Sequence, residues 1–417
     1  VIPAYAEKDL ILTTLASIAD NSDQSLESSA ILCVVNNKAG ASNEDKENNA
    51  QTLQILNALI HQKTTNHFNC SGHVRAALQR ITARPLRLGC MDASSSGLEI
   101  PSHLGGVGMA RKIGMDMALR LLANSGDGPR LILSLDADTV VQPNYLTAVR
   151  NAFISGKTQT GIIAYEHQMP SNELEQAAIC SYEIFLRYWV LGLKYAGSPY
   201  AFHSIGSTIV TTADSYLTVR GMNRREAGED FYFLNKLAKT GSIRQIRETI
   251  VYPSARLSGR VPFGTGAAIE KIVSGQKVGT LLYDPHIFSV LKKWIELMKD
   301  SSHLSPDRIL TLAGEIDKGL RVFLNTRGFV QVWTKIRHHV KDRKTYDRQF
   351  HNWFDGFETL KLVNYLTKEC YPRVSQQLAL KKMLQMQDRE YPDGLADDHG
   401  LKMQDQIKWL GYLRGVT

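Results

Sequence analysis

The stretch "LILSLDADTV", Leu131 to Val140, decides how the chain is read. An apolar run of β-strand type ends abruptly in two carboxylates, Asp136 and Asp138, separated by one alanine. Acids that leave a buried strand together sit at a strand end, and in open α/β sheets that edge is where ligands bind. A D-x-D turn can set oxygen ligands around a divalent cation, since Mg²⁺ and Mn²⁺ favour oxygen and share one or two carboxylates with substrate phosphates. It can equally be a solvated turn whose acids cap the helix after Pro143. The motif by itself leaves both readings open.

Working outward, "ILCVV" (Ile31–Val35), "RLILSL" (Arg130–Leu135), "GIIAY" (Gly161–Tyr165) and "STIVTT" (Ser207–Thr212) read as strands. Between them, "NAQTLQILNALIHQ" (Asn49–Gln62) and "GMARKIGMDMALRLLA" (Gly108–Ala123) carry apolar residues at three- and four-residue spacing and read as helices. Such alternation predicts a mostly parallel sheet flanked by helices. Two polar stretches, Asn36–Asn49 and Asp92–Gly106, read as long loops of the kind that carry function. From about Tyr283 the strand patterns stop. "DPHIFSVLKKWIELMK", "PDRILTLAGEIDKGLRVFL", "RQFHNWFDGFETLKLVNYLTK" and "VSQQLALKKMLQMQDRE" read as amphipathic helices. The expected division is therefore an α/β domain over 1–280 and a helical domain over 281–417.

Composition bounds the classes. The chain has 417 residues, 43% hydrophobic and 22% charged, with a formal net charge of +8. That is ordinary for a globular protein with ample core, and the positive balance suits an anionic partner without naming it. Five cysteines without a C-x-x-C spacing argue against a disulfide framework or a zinc site and for a reducing compartment. No apolar run approaches the ~18 residues of a membrane span. "VIPAY" reads as the end of a strand, so residues upstream of Val1 are expected.

A second acidic element lies in "REAGEDFYFLNKLAKTG", where Glu229 and Asp230 follow Gly228 at the start of a helix. Acids in a first helical turn are favoured by the macrodipole, so capping is one reading and a general base is the other. "LGGVGMA" tempts a dinucleotide reading, but Arg111 stands where the third glycine would be and no strong strand precedes it. His203 and His286 could be metal ligands, although a lone histidine is more often structural. Glu183 and Arg187, one turn apart, read as a helix-surface ion pair. The basic run Lys335–Lys344 reads as a solvated face.

Taken in order, "VIPAYAEKD", "ILCVVNN", "GGVGMARKIGMDMA", "LSLDADT", "GSTIVTTADSYLTVRGM" and "AGEDFYFLNKL" resemble the motifs of family-2 glycosyltransferases with the GT-A fold. The resemblance covers roughly Val1 to Gly266. It implies inverting transfer of a sugar from a nucleotide-diphosphate donor, a UDP-sugar first, to a saccharide or lipid-linked acceptor hydroxyl. It implies Mn²⁺ or Mg²⁺ on Asp138 and Asp136. By the same match, Pro3, Ala4 and Glu7 hold base and ribose, and Asn36 and Asn37 stand where the family has acids touching the base. Arg111 lies near the nucleotide, and Asp136 contacts donor ribose and diphosphate. Gly206 and Ser207 line the donor sugar. Asp230 is the base, with Glu229 beside it. Arg256 and Arg260 are phosphate partners in a loop that Gly264 and Gly266 let close. The Q-x-x-R-W motif of the family's processive members is missing. The expected setting is cytoplasmic or peripheral at the inner membrane face, without a nucleic-acid partner. The alternatives are a sugar-phosphate nucleotidyltransferase, whose G-x-G-T-R loop "PAYAEKDL" does not supply, and an inactive GT-A binding scaffold.

Overall fold

The computed structural model describes residues 1–61, 72–124, 126, 128–256, 265–274, 280–338, 340–390 and 403–417. The chain divides into two compact units, Val1–Met169 with Ser204–Gly264, and Pro170–His203 with Thr265–Thr417. The single boundary near residue 280 expected from sequence differs from this. The aromatic-rich segment from Pro170 to His203 goes with the C-terminal helices, and the chain returns to the first unit at Ser204, before two further strands.

In the first unit, β1 (Ile2–Ala4), β2 (Ile31–Asn36) and β3 (Leu88–Ala93) form a parallel sheet in the order β1-β2-β3. Five further strands, β4 (Leu131–Leu133), β5 (Val140–Val141), β6 (Thr160–Tyr165), β7 (Ile209–Thr212) and β8 (Ile243–Tyr252), pair in the order β4-β7-β6-β8-β5. Val1 joins the two sets. Its nitrogen donates to the Leu133 carbonyl at 2.8 Å, and its carbonyl accepts from Leu135 at 3.0 Å. One residue bonding to positions two apart is the parallel ladder pattern, so β1 and β4 run in the same direction.

The result is a mixed α/β unit. The order β3-β2-β1-β4 is parallel, as the alternation predicts. Beyond β4 the expectation of a mostly parallel sheet needs correction, because β7 is antiparallel to both β4 and β6, and β5 is antiparallel to β8. Only β6 and β8 run parallel there, with a register shift between Ile163 and Ala164.

The helices follow their apolar stripes. Val107–Leu122 buries Ala110, Gly114 and Met115 and lies against β1 and β2, while Glu229–Thr240 lies against that helix. The helix expected from Asn49 begins at Asn43, inside the segment read as a loop. Ser42 causes this: its hydroxyl accepts the Asp45 N–H at 3.1 Å, and Glu44 and Asp45 fill the first turn.

The second unit is helical around a core that includes Trp294, Trp333, Phe288, Phe329, Phe350 and Trp409. Two segments read as single helices are each broken by an aspartate. Asp317 separates Pro306–Ile316 from Lys318–Thr326, and Asp355 lies between Arg343–Trp353 and Gly356–Glu369. Each of the two caps the second helix of its pair, Asp317 accepting the Leu320 N–H and Asp355 the Phe357 N–H, both at 2.9 Å. Two short strands, β9 (Leu281–Leu282) and β10 (Val374–Ser375), pair antiparallel. The Glu183–Arg187 pair is not a surface pair. Both side chains are buried, and Arg414 of the helix Met403–Val416 makes a second bond to Glu183 at 2.9 Å.

Candidate active site

β1 and β4 are parallel neighbours whose onward connections leave to opposite sides of the sheet, β1 to β2 on one side and β4 to β5, beyond β7, on the other. That is the topological switch point of an open sheet, where a crevice opens at the carboxyl ends of the strands. Glu7 follows β1, and Asp136 and Asp138 follow β4, so all three acids stand at this edge.

Arg111 organises the floor of the site. It projects from the second turn of Val107–Leu122 and is 3% exposed. Its Nε donates to Ser134 Oγ at 3.0 Å, one terminal nitrogen donates to Asp136 and the other to Glu229. Burial alone would lower its basicity, but Asp136, Glu229 and Asp230 together hold it well above its ordinary value. The second oxygen of Asp136 accepts from Ser207 Oγ at 2.5 Å, and Ser207 lies 3.0 Å from Thr139 Oγ1. Gly206 passes so close that a Cβ there would run into the Arg111 guanidinium. Only glycine leaves room for the arginine.

Asp138 faces another way. Its carbonyl accepts from Gln168 Nε2 at 3.0 Å, and its carboxylate lies 3.2 Å from Arg256, which also bonds Glu7. Burial, with Asp136 and Glu7 nearby, outweighs Arg256 and a backbone hydrogen bond and pushes the Asp138 carboxyl up to about 7. Glu229 is likewise pushed up to about 7, first by burial and then by Asp230, against the pull of Arg111. Asp230 is half-buried and shifted upward by burial; its Oδ1 accepts the Phe231 N–H at 2.7 Å.

The structure therefore brings together Glu7, Arg111, Asp136, Asp138, Gly206, Ser207, Glu229, Asp230 and Arg256. Glu229 belongs to the floor, buried against Arg111. Asn36 and Asn37 are 6% and 2% exposed. Asn36 donates to the Ala4 and Val34 carbonyls, and Asn37 Oδ1 accepts from Asn49. Their amides tie β2 to β1 and to the helix Asn43–Ile60, a local role that two asparagines after a strand do not announce. Pro3 and Ala4 lie within β1, Ala4 fully buried. Arg111 is too enclosed to reach a nucleotide directly. Arg260 and Gly264 lie outside the described residues, and Gly266 is the second residue of the helix Thr265–Val273. His203 is buried, and the His286 ring stands edge-on to Tyr371 at 4.7 Å.

Sequence reasoning missed Ser134, Thr139 and Gln168. Ser134 interrupts "LILSL" with a polar side chain at a buried position, which was the available signal. Among the described residues no group of three His, Cys, Asp or Glu side chains forms a ready cation cage, and no helix is long and apolar enough to cross a membrane. A cavity of about 440 Å³ lies at the opposite, amino-terminal end of the strands, between Ile31, Arg87 and Leu131, away from these acids.

Neither a family profile nor a curated protein matches the sequence. Among solved structures, S. aureus TarS residues 1–349 with UDP-GlcNAc align over 85% of this chain and 89% of that one, at 13% identity and a TM-score of 0.40. The same fragment with UDP gives a TM-score of 0.36 at 13% identity, again over 85% and 89% of the two chains. A longer TarS structure gives 0.36 at 12% identity, over 88% of this chain and 54% of that one. At this level the likeness is loose.

Proposed function

We propose that the chain is an inverting glycosyltransferase of GT-A type that uses a nucleotide-diphosphate sugar, a UDP-sugar first, and a divalent cation. The observation that carries this reading is the convergence at one switch point of Asp136 and Asp138 from β4, Asp230 from a helix start, and Arg256 from beyond β8. A crevice at parallel strand ends suits a nucleotide, and the partly exposed Arg256 guanidinium suits its diphosphate, with the carboxylates left to a cation that phosphates share.

The residues fit a divalent cation. Both Asp136 oxygens are engaged, by Arg111 and Ser207, so Asp136 is held in one orientation. Asp138 sits where like charges crowd, a position that a hard cation relieves. A bound Mn²⁺ or Mg²⁺ would offset the charge that develops on the leaving diphosphate.

The rest of the step belongs to the chain. Asp230 accepts the proton of the acceptor hydroxyl as that oxygen bonds to the anomeric carbon, and the bond to the diphosphate oxygen breaks with its electron pair. Burial raises the affinity of Asp230 for a proton, which favours this transfer. Glu229 keeps Arg111 in place. Arg256 is the candidate partner for the phosphates. The acceptor is a saccharide or lipid-linked hydroxyl.

A thermal-shift series of nucleoside diphosphates and nucleotide sugars, with Mn²⁺ or with EDTA, tests the reading. A UDP-sugar should raise the melting temperature only when Mn²⁺ is present. No response to any diphosphate would overturn it.

A further inference from the structure

Glu7 and Asp138 leave different strands, β1 and β4, and meet on the same atom. Arg256 Nη2 bonds Glu7 Oε1 and lies 3.2 Å from Asp138 Oδ2. Glu7 is 8% exposed and the Asp138 side chain 21%, so neither carboxylate is well solvated. Two poorly solvated carboxylates so close together need a shared positive charge, because burying them uncompensated is costly. Here one nitrogen of the Arg256 guanidinium stands against both. Arg256 is itself about one-third exposed and lies just past the end of β8, so it can withdraw without disturbing a buried core.

We propose that Glu7 and Asp138 together form a divalent-cation site, and that Arg256 is its built-in occupant, displaced when the metal enters. The proposal rests on the reading of Asp138 as a metal ligand and adds two things to it. Glu7 becomes a second carboxylate ligand, and a guanidinium holds the site closed to bare metal. Two carboxylates, with the remaining positions left to water and phosphate oxygens, are a normal donor set for Mg²⁺ or Mn²⁺. Entry of the ion frees the Arg256 charge beside the site, where its fork of donors suits a phosphate. Metal binding and anion binding would then favour one another.

The test is a calorimetric titration of the full chain with Mn²⁺ alone, without nucleotide. Arg256→Gln should bind Mn²⁺ about tenfold or more tightly than the parent, because the competing charge is gone. Glu7→Gln should bind it at least about tenfold more weakly, and Asp138→Asn more weakly still. Equal or weaker binding in Arg256→Gln with the fold intact would overturn the occupant role. Should that variant fail to fold, Arg256→Met decides: it keeps an apolar stem but also removes the competing charge, so affinity should still rise, and an unchanged value overturns the proposal. Parental affinity in Glu7→Gln removes Glu7 from the site. No Mn²⁺ binding by either the parent or Arg256→Gln removes the site. The nucleotide series fails separately, since it reads diphosphate binding and this titration does not.

Discussion

Arg111 and Glu229 form an ion pair sealed from solvent, each side chain only 4% exposed, although 118 residues separate them. The pair ties the helix that follows the glycine-rich turn to the helix that carries Asp230. It also ties both to β4, because the same guanidinium holds Asp136. Through one residue the proposed base and the first aspartate of D-x-D share a frame.

Breaking that frame should be costly. Arg111→Met strands Glu229 and Asp136 without their cation, and removing one partner of a buried pair typically costs about 3–5 kcal/mol. Urea denaturation should show a loss of that order. Adding Glu229→Gln should recover part of it, since the stranded charge is removed. A loss below about 1 kcal/mol, the scale of an exposed pair, would show that Arg111 does not hold the frame.

Gly206→Ala probes the same guanidinium by steric means. The new methyl has no room beside Arg111, so overpacking should cost about 1–3 kcal/mol and weaken nucleotide binding by shifting Asp136 and Ser207. Gly241→Ala is the control: its backbone is extended and no atom lies near its Cβ position. Equal melting temperatures for the two variants would remove the steric argument.

The acids at the helix start should separate in their effects. Asp230→Asn keeps an acceptor for the Phe231 N–H but cannot take a proton. Turnover should fall by about 10²- to 10⁴-fold with nucleotide affinity nearly unchanged. Glu229→Gln should instead lower stability through Arg111. A transfer assay read beside a melting curve distinguishes them, and near-parental turnover in Asp230→Asn would leave the base unassigned.

Stability should depend on pH through Asp138. Its carboxyl is raised from 3.8 to about 7, so across that window the folded chain holds a proton that the unfolded chain has released. Stability therefore falls as pH rises through the window, by up to about 1.4 kcal/mol per pH unit for one proton. Glu229, raised from 4.5 to about 7, acts in the same direction. In EDTA, urea denaturation between about pH 4 and 8 should show this decline, and Asp138→Asn should make it shallower. Identical slopes in parent and variant would refute the shift.

Much of the site was legible where the signal is local. "LILSLDADT" announces a strand and its terminal acids, and "AGEDFYFLNKL" announces a helix with acids in its first turn. The pairing of Glu229 with Arg111 was not legible. Adjacent carboxylates on one helix are interchangeable until a partner is known, and the partner of Glu229 lies on another helix. The partners of Asn36 and Asn37 were hidden for a related reason: an amide after a strand can meet many groups, and only packing shows that these two meet the Ala4 carbonyl and Asn49.

By itself the sequence determined several of the strands and helices, that the C-terminal part is mostly helical, and which acids end β4, because these follow from apolar period and turn chemistry over a few residues. Only the tertiary structure decided that β7 runs antiparallel, that Pro170–His203 joins the C-terminal unit, and that Arg256 lies between Glu7 and Asp138. Strand direction, unit membership and ion pairing are choices among partners far apart in the chain. They are settled by which arrangement buries the most apolar surface while leaving no buried charge unpaired, and no local window contains that comparison.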